Sequence, residues 1–128
     1  MNRSEFQALA RSRLQDAAVL FAASRFDGAY YLFGLAVECG LKACICLRVR
    51  RYDFPDRELT QQSYQHDLFK LVRAAGLEDA LDVATKADAE FGANWLTVAG
   101  WSVESRYWPA GQSESEKLRS AVFIEGMG

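Results

Sequence analysis

The sequence predicts an all-α protein, an up-and-down antiparallel bundle of four to five helices forming one domain over residues 1–128. Three observations lead there. Apolar residues recur at helical spacing in several separate stretches, and no stretch shows the sustained alternation of a half-buried strand. One long segment, Ala29 to Arg48, is apolar nearly all round, as the central helix of a bundle is.

The first helix is expected from Ser4, whose spacing to Gln7 is that of a capping box. Phe6, Leu9, Leu14, Ala17 and Phe21 then form one stripe, and the helix should end near Ser24. Arg25 to Gly28 reads as a short connection or helix start. Such a connection makes the flanking helices antiparallel neighbours. Gly34 and Gly40 lower helix propensity in the second helix but let another element come close. Arg48 to Gln65, with Arg50, Arg51 and Pro55, looks like a long exposed connection. Its basic cluster reads either as a solvated helix end, favoured by the dipole, or as a phosphate-binding patch.

His66-Asp67 opens a short helix carrying Leu68, Leu71, Val72 and Ala75, with Gly76 as its stop. A further stripe runs from Leu77 through Phe91 and Trp95 to Val98, weakened by Gly92. The segment Trp101 to Gly111 is aromatic and polar, and Ser113 with Glu116 has capping-box spacing for a last helix.

Composition narrows the function classes. Half the residues are hydrophobic and a quarter charged, a globular balance, and a chain of this length buries a real core without staples. The net charge of −2 speaks against DNA-specific binding. Cys39, Cys44 and Cys46 are an odd number without a CxxC pair, so they are expected as buried small hydrophobes in a reducing cytoplasm. No signal peptide is visible, and the run Ala29 to Val37 is too short to span a bilayer, so a cytoplasmic location without a membrane is expected. His66 is the single histidine, which leaves no histidine-rich metal site, and neither a metal nor a cofactor is expected.

Polarity in unexpected places singles out the candidate site residues. Glu38 and Lys42 stand one turn apart on the apolar helix, in the orientation that favours an ion pair. They read either as a structural pair or as a carboxylate orienting a functional group such as Arg106 or His66. His66 either hydrogen-bonds its own turn or serves that site. Arg106 and Tyr107, flanked by Trp101 and Trp108, suit phosphate binding and base stacking, and equally suit tying a loop onto the bundle.

The run Arg25-Phe26-Asp27-Gly28-Ala29-Tyr30-Tyr31-Leu32-Phe33-Gly34, continuing into Val37-Glu38-Cys39-Gly40-Leu41-Lys42-Ala43, resembles the second-helix signature of HEPN domains. His66-Asp67-Leu68 with Leu71, then Trp95, then Trp101 with Arg106-Tyr107, resemble later landmarks of that family in the same order. The resemblance implies an antiparallel helical homodimer. It also implies either a ribonuclease of toxin–antitoxin and defence systems or a non-catalytic partner of a minimal nucleotidyltransferase.

Catalytic members carry Arg, four to six residues, then His. Here positions 59, 60 and 61 are Leu59, Thr60 and Gln61, and positions 111, 112 and 113 are Gly111, Gln112 and Ser113. The expectation is therefore a non-catalytic dimeric module binding a nucleotide, RNA or a partner protein through Arg106, Tyr107, Glu38, Lys42 and His66. One alternative is a metal-independent ribonuclease in which His66 moves protons and Arg106 stabilises the phosphorane charge. Another is a purely structural, antitoxin-like interaction protein.

Overall fold

The first helix, α1 (Arg3–Ala22), begins two residues before Ser4 in the cap it uses: Asn2, not Ser4, is its N-cap. The Asn2 side chain accepts from the Glu5 amide at 2.8 Å, and Glu5 Oε1 accepts from the Asn2 amide at 3.4 Å. This is a capping box like the one expected, shifted toward the N-terminus because Asn is a cap equal to Ser and Glu5 stands at the right distance. The structure is a computed structural model describing residues 1–51 and 66–122, without the side chains of 49–51 and Arg106.

The chain reverses through Ser24, which takes a left-handed φ of 60°, and the Arg25 amide donates to the Leu20 carbonyl at 2.8 Å. So tight a turn sends α2 (Phe26–Arg51) back along α1. Arg25 ends the turn, and Asp27 already lies in the first helical turn, where a carboxylate favours the positive end of the dipole. The helix is thus longer at both ends than the apolar run. The basic residues up to Arg51 continue it, and the rest of the expected connection, 52–65, lies outside the described residues.

Helix α2 is the hub. It packs against α1 along its length, and also meets the third helix, the aromatic segment and the last helix. Ala29, Phe33, Ala36, Cys39 and Ala43 are buried along one face, and Glu38 and Ile45 on the opposite one, so neighbours cover it from two sides and the sequence shows no polar face there. The stretch Phe26–Arg48, of 23 residues and mean hydropathy 1.5, is long and apolar enough by length and composition to cross a membrane. It therefore exceeds the short run Ala29 to Val37 on which the expectation rested.

Helix α3 (Leu68–Ala74) is capped by Asp67, whose carboxylate accepts from the Lys70 amide at 3.1 Å, and it buries Leu68, Leu71, Val72 and Ala74. Gly76 follows at φ 72°, the conformation that stops a helix and that glycine adopts without cost. The Arg48 guanidinium lies over this turn and donates to the Ala74 carbonyl at 2.8 Å, so this member of the basic cluster closes a helix end.

The stripe from Leu77 to Val98 is two helices, α4 (Glu78–Ala87) and α5 (Ala89–Ala99). The break falls at Asp88, while Gly92, expected to weaken the stripe, lies within α5. Asp88 is extended, with φ −139°, and its side chain accepts from the amides of Glu90 and Phe91 at 3.0 and 3.2 Å. A short 3₁₀ helix (Val103–Tyr107) leads to α6 (Gln112–Val122), which starts one residue before Ser113. Two ties bind this last part to the start of α2. The Ala110 amide donates to Asp27 at 2.9 Å, and the buried Ser115 hydroxyl donates to the Phe26 carbonyl at 2.6 Å.

The result is an all-α bundle with six α-helices and no strands among the described residues. The expected four to five rise to six because Asp88 divides one stripe. The core runs from Ala17 and Phe33 through Ile45, Leu68 and Leu71 to Trp101 and Leu118. Of the cysteines only Cys39 is buried; Cys44, packed against the edge of the core, and Cys46 are half-buried.

Candidate functional site

Glu38 sits on the hub helix with only 4% of its side chain exposed. A carboxylate removed from water needs compensating partners. Oε2 faces Lys42 Nζ at 3.4 Å, and Oε1 faces His66 Nδ1 at 3.1 Å. The ion pair expected from the one-turn spacing is present. The second partner comes from far along the sequence: α3 docks on α2 through Leu68 and Leu71, which brings the residue just before its Asp67 cap over Glu38.

The three side chains differ in exposure in a way that bears on chemistry. Glu38 is buried, Lys42 is 13% exposed, and His66 is 54% exposed. An ionised carboxylate only accepts, so Nδ1 of His66 is the donor in their hydrogen bond, which fixes the tautomer and the ring orientation. Nε2 is then the nitrogen offered to solvent. In the neutral ring it is a base; in the protonated ring it is a donor for an anion. Beside this trio, burial in the first place and the neighbouring Glu38 in the second push the Cys39 thiol above its ordinary value, so Cys39 is held as a thiol rather than a nucleophilic thiolate.

Gly34, one turn before Glu38, receives the ring of Trp101. A Cβ on Gly34 would stand 2.1 Å from the indole, so only glycine permits this approach. Tyr31 stacks on the same indole at 6.2 Å between ring centroids. Trp101, 4% exposed, thereby pins the aromatic segment against α2. Its indole nitrogen is buried without a hydrogen-bond partner among the described residues.

Beyond that anchor, Tyr107 and Trp108 are about two-thirds exposed, at 67% and 65%. With Asp27, Tyr31, Ser105 and Pro109 they line an open groove of about 320 Å³ at the start of α2. Helical rise of roughly 1.5 Å per residue separates Tyr31 from Glu38 by about 10 Å along the axis. Tyr107 thus stands by the beginning of α2 and the Glu38 trio by its middle. The Arg106 side chain lies outside the described residues, and so do its expected meetings with Glu38 and His66. Asp27 and Tyr31 as groove-lining residues, and Arg48 as a helix cap, carry no sequence signal of those roles; only the packing of distant segments assigns them.

No family model matches the sequence, and no curated protein and no solved structure matches it either.

Proposed function

We propose that the chain is a HEPN-like, non-catalytic dimeric module that binds a phosphate-bearing ligand, a nucleotide or RNA, with His66 as a contact residue. The observation that supports it is the grip of buried Glu38 on half-exposed His66. A carboxylate buried on the central helix carries a desolvation cost, and here it orders one surface imidazole and keeps Lys42 beside it. Protonated His66 with Lys42 leaves the trio one positive charge in excess, suited to a phosphate. The exposed Tyr107 and Trp108, toward the start of α2, offer flat faces for a base, and Arg106, in the same segment, is the proposed partner for further anionic groups.

In this reading the module works in the cytoplasm as a homodimer, with a minimal nucleotidyltransferase-type protein as a fitting partner, in a toxin–antitoxin or defence setting. The absence of the Arg-x4-6-His spacing in the sequence favours binding over cleavage. Calorimetric titration with ATP and with short single-stranded RNA tests the reading. Wild-type protein should bind at least one of them, and His66→Ala should weaken binding by about tenfold, the loss of roughly one charge-assisted hydrogen bond. Failure of the wild type to bind either removes it.

The same contact favours a second reading, a metal-independent ribonuclease. An imidazole oriented by a carboxylate is the arrangement of a general base, with Nε2 free to take a proton from a ribose hydroxyl. RNA cleavage in the presence of a chelator, by wild type and by His66→Ala, decides this. Equal rates eliminate the nuclease.

A further inference from the structure

The groove at the start of α2 holds polar groups that stacking alone does not use. Asp27 lines it with Tyr31, Ser105, Tyr107 and Trp108. Asp27 Oδ1 accepts from the Ala110 amide at 2.9 Å, which fixes the carboxylate, and no other partner engages Asp27 among the described residues. Its Oδ2 is therefore an oriented acceptor at the groove wall. Ser105, in the same lining, has a buried hydroxyl without a hydrogen-bond partner among the described residues. Buried hydroxyls are seldom left unpaired, so this one is a donor still to be satisfied.

The occupant that uses all of these is a flat, uncharged ring with an amino group beside a ring nitrogen. Tyr107 and Trp108, 67% and 65% exposed, offer faces on which any base stacks. Asp27 only accepts, so it favours an amino group and repels a carbonyl oxygen at the same place. The Ser105 hydroxyl is the matching donor for the neighbouring ring nitrogen. Adenine and cytosine carry that pair of groups; hypoxanthine and uracil carry a carbonyl in place of the amino group. A guanidinium, or the double-donor edge of guanine, pairs best with both carboxylate oxygens at once, and Oδ1 is already engaged.

We infer that this groove is the subsite for an amino-bearing base, adenine or cytosine, and that Asp27 is the residue that selects it. The inference rests on the nucleotide reading above and adds to it which base is taken. The register of α2 connects the two: Asp27, Tyr31 and Glu38 fall on one face of the helix. Trp101, seated on Gly34 between them, separates the groove from the Glu38 trio. Base and phosphate thus have distinct subsites along one helix face.

The test titrates the whole chain with two matched pairs of nucleosides, adenosine with inosine and cytidine with uridine, followed by amide chemical shifts. Nucleosides carry no phosphate, so they probe the groove apart from His66. Adenosine and cytidine should bind at least about fivefold more tightly than inosine and uridine, and should shift the amides of Asp27, Tyr31 and Ser105. In Asp27→Asn the Ala110 amide still finds the side-chain oxygen, which turns the amide NH2 toward the ligand, so the preference should reverse. Trp108→Ala, at an exposed position, should weaken adenosine and cytidine by about fivefold or more with an unchanged melting temperature. Should Asp27→Asn lose its fold, Trp108→Ala decides alone. Equal affinities within each pair, an unreversed preference in folded Asp27→Asn, full binding by Trp108→Ala, or shifts centred on Lys42 and His66 overturn the inference. Binding of ATP or RNA without binding of any nucleoside overturns it too and leaves the phosphate reading standing. Failure of nucleosides and nucleotides alike removes both.

Discussion

At the residue scale the chemistry concentrates in Glu38. Its burial makes it a poor residue for stability unless both partners are kept, because removing a buried carboxylate leaves Lys42, itself only 13% exposed, without its counter-charge. Glu38→Ala should therefore lower unfolding free energy by about 3 kcal/mol, read from urea denaturation. Glu38→Gln, which retains shape and one acceptor, should cost less. If Glu38→Gln changes stability while ligand affinity stays at the wild-type value, the trio is structural and the binding role is lost. Gly34 shows the opposite kind of importance, that of an absent side chain. Gly34→Ala puts a methyl group into the Trp101 ring and should cost about 2 kcal/mol, with a shift in tryptophan emission as the indole is displaced.

At the element scale the bundle depends on a few polar closures. Asp88 ends one helix and caps the next, its carboxylate accepting from two amides. Asp88→Ala should cost about 1 kcal/mol, the usual worth of an N-cap. Circular dichroism should show lost helicity confined to a small fraction of the signal, because α4 buries no residue and α5 buries only Val98. A collapse of the whole helical signal would contradict the peripheral place of this hairpin. The ties of Asp27 to Ala110 and of Ser115 to Phe26 matter differently. They join segments more than eighty residues apart and hold the aromatic segment between them over α2.

At the scale of the whole molecule, stability should fall on the alkaline side. The Cys39 thiol is pushed up by burial and then by Glu38, the Cys46 thiol by burial, and the Tyr30 hydroxyl by burial and then by Glu114. Below the ordinary thiol value of 9.0 the folded and unfolded chains both keep these protons, and the contribution is fully present. Above it the unfolded chain releases protons first, so stability is lost as pH rises up through the folded values. Urea midpoints measured from neutral pH up to the ordinary tyrosine value of 10.0 should decline. A flat or rising midpoint would contradict the burial of these groups.

What the sequence determined by itself is the local part: helices from their stripes, the hub from its lack of a polar face, the Asp67–Gly76 bounds of the short helix, and the Glu38–Lys42 pair from its one-turn spacing. These rest on residues close in the chain, where period and propensity act directly. Caps were harder to place: Asn2 and not Ser4 opens α1, and Asp88 divides a stripe that reads as one helix weakened at Gly92, because several neighbouring residues have cap chemistry and local sequence does not rank them. Only the tertiary structure decided that His66 and not Lys42 alone completes the environment of Glu38, that Trp101 occupies the space left by Gly34, and that Arg48 closes α3. Each joins residues at least 26 positions apart. Contacts of that kind come from how helices dock, and no short-range pattern in the chain encodes which side chains then meet.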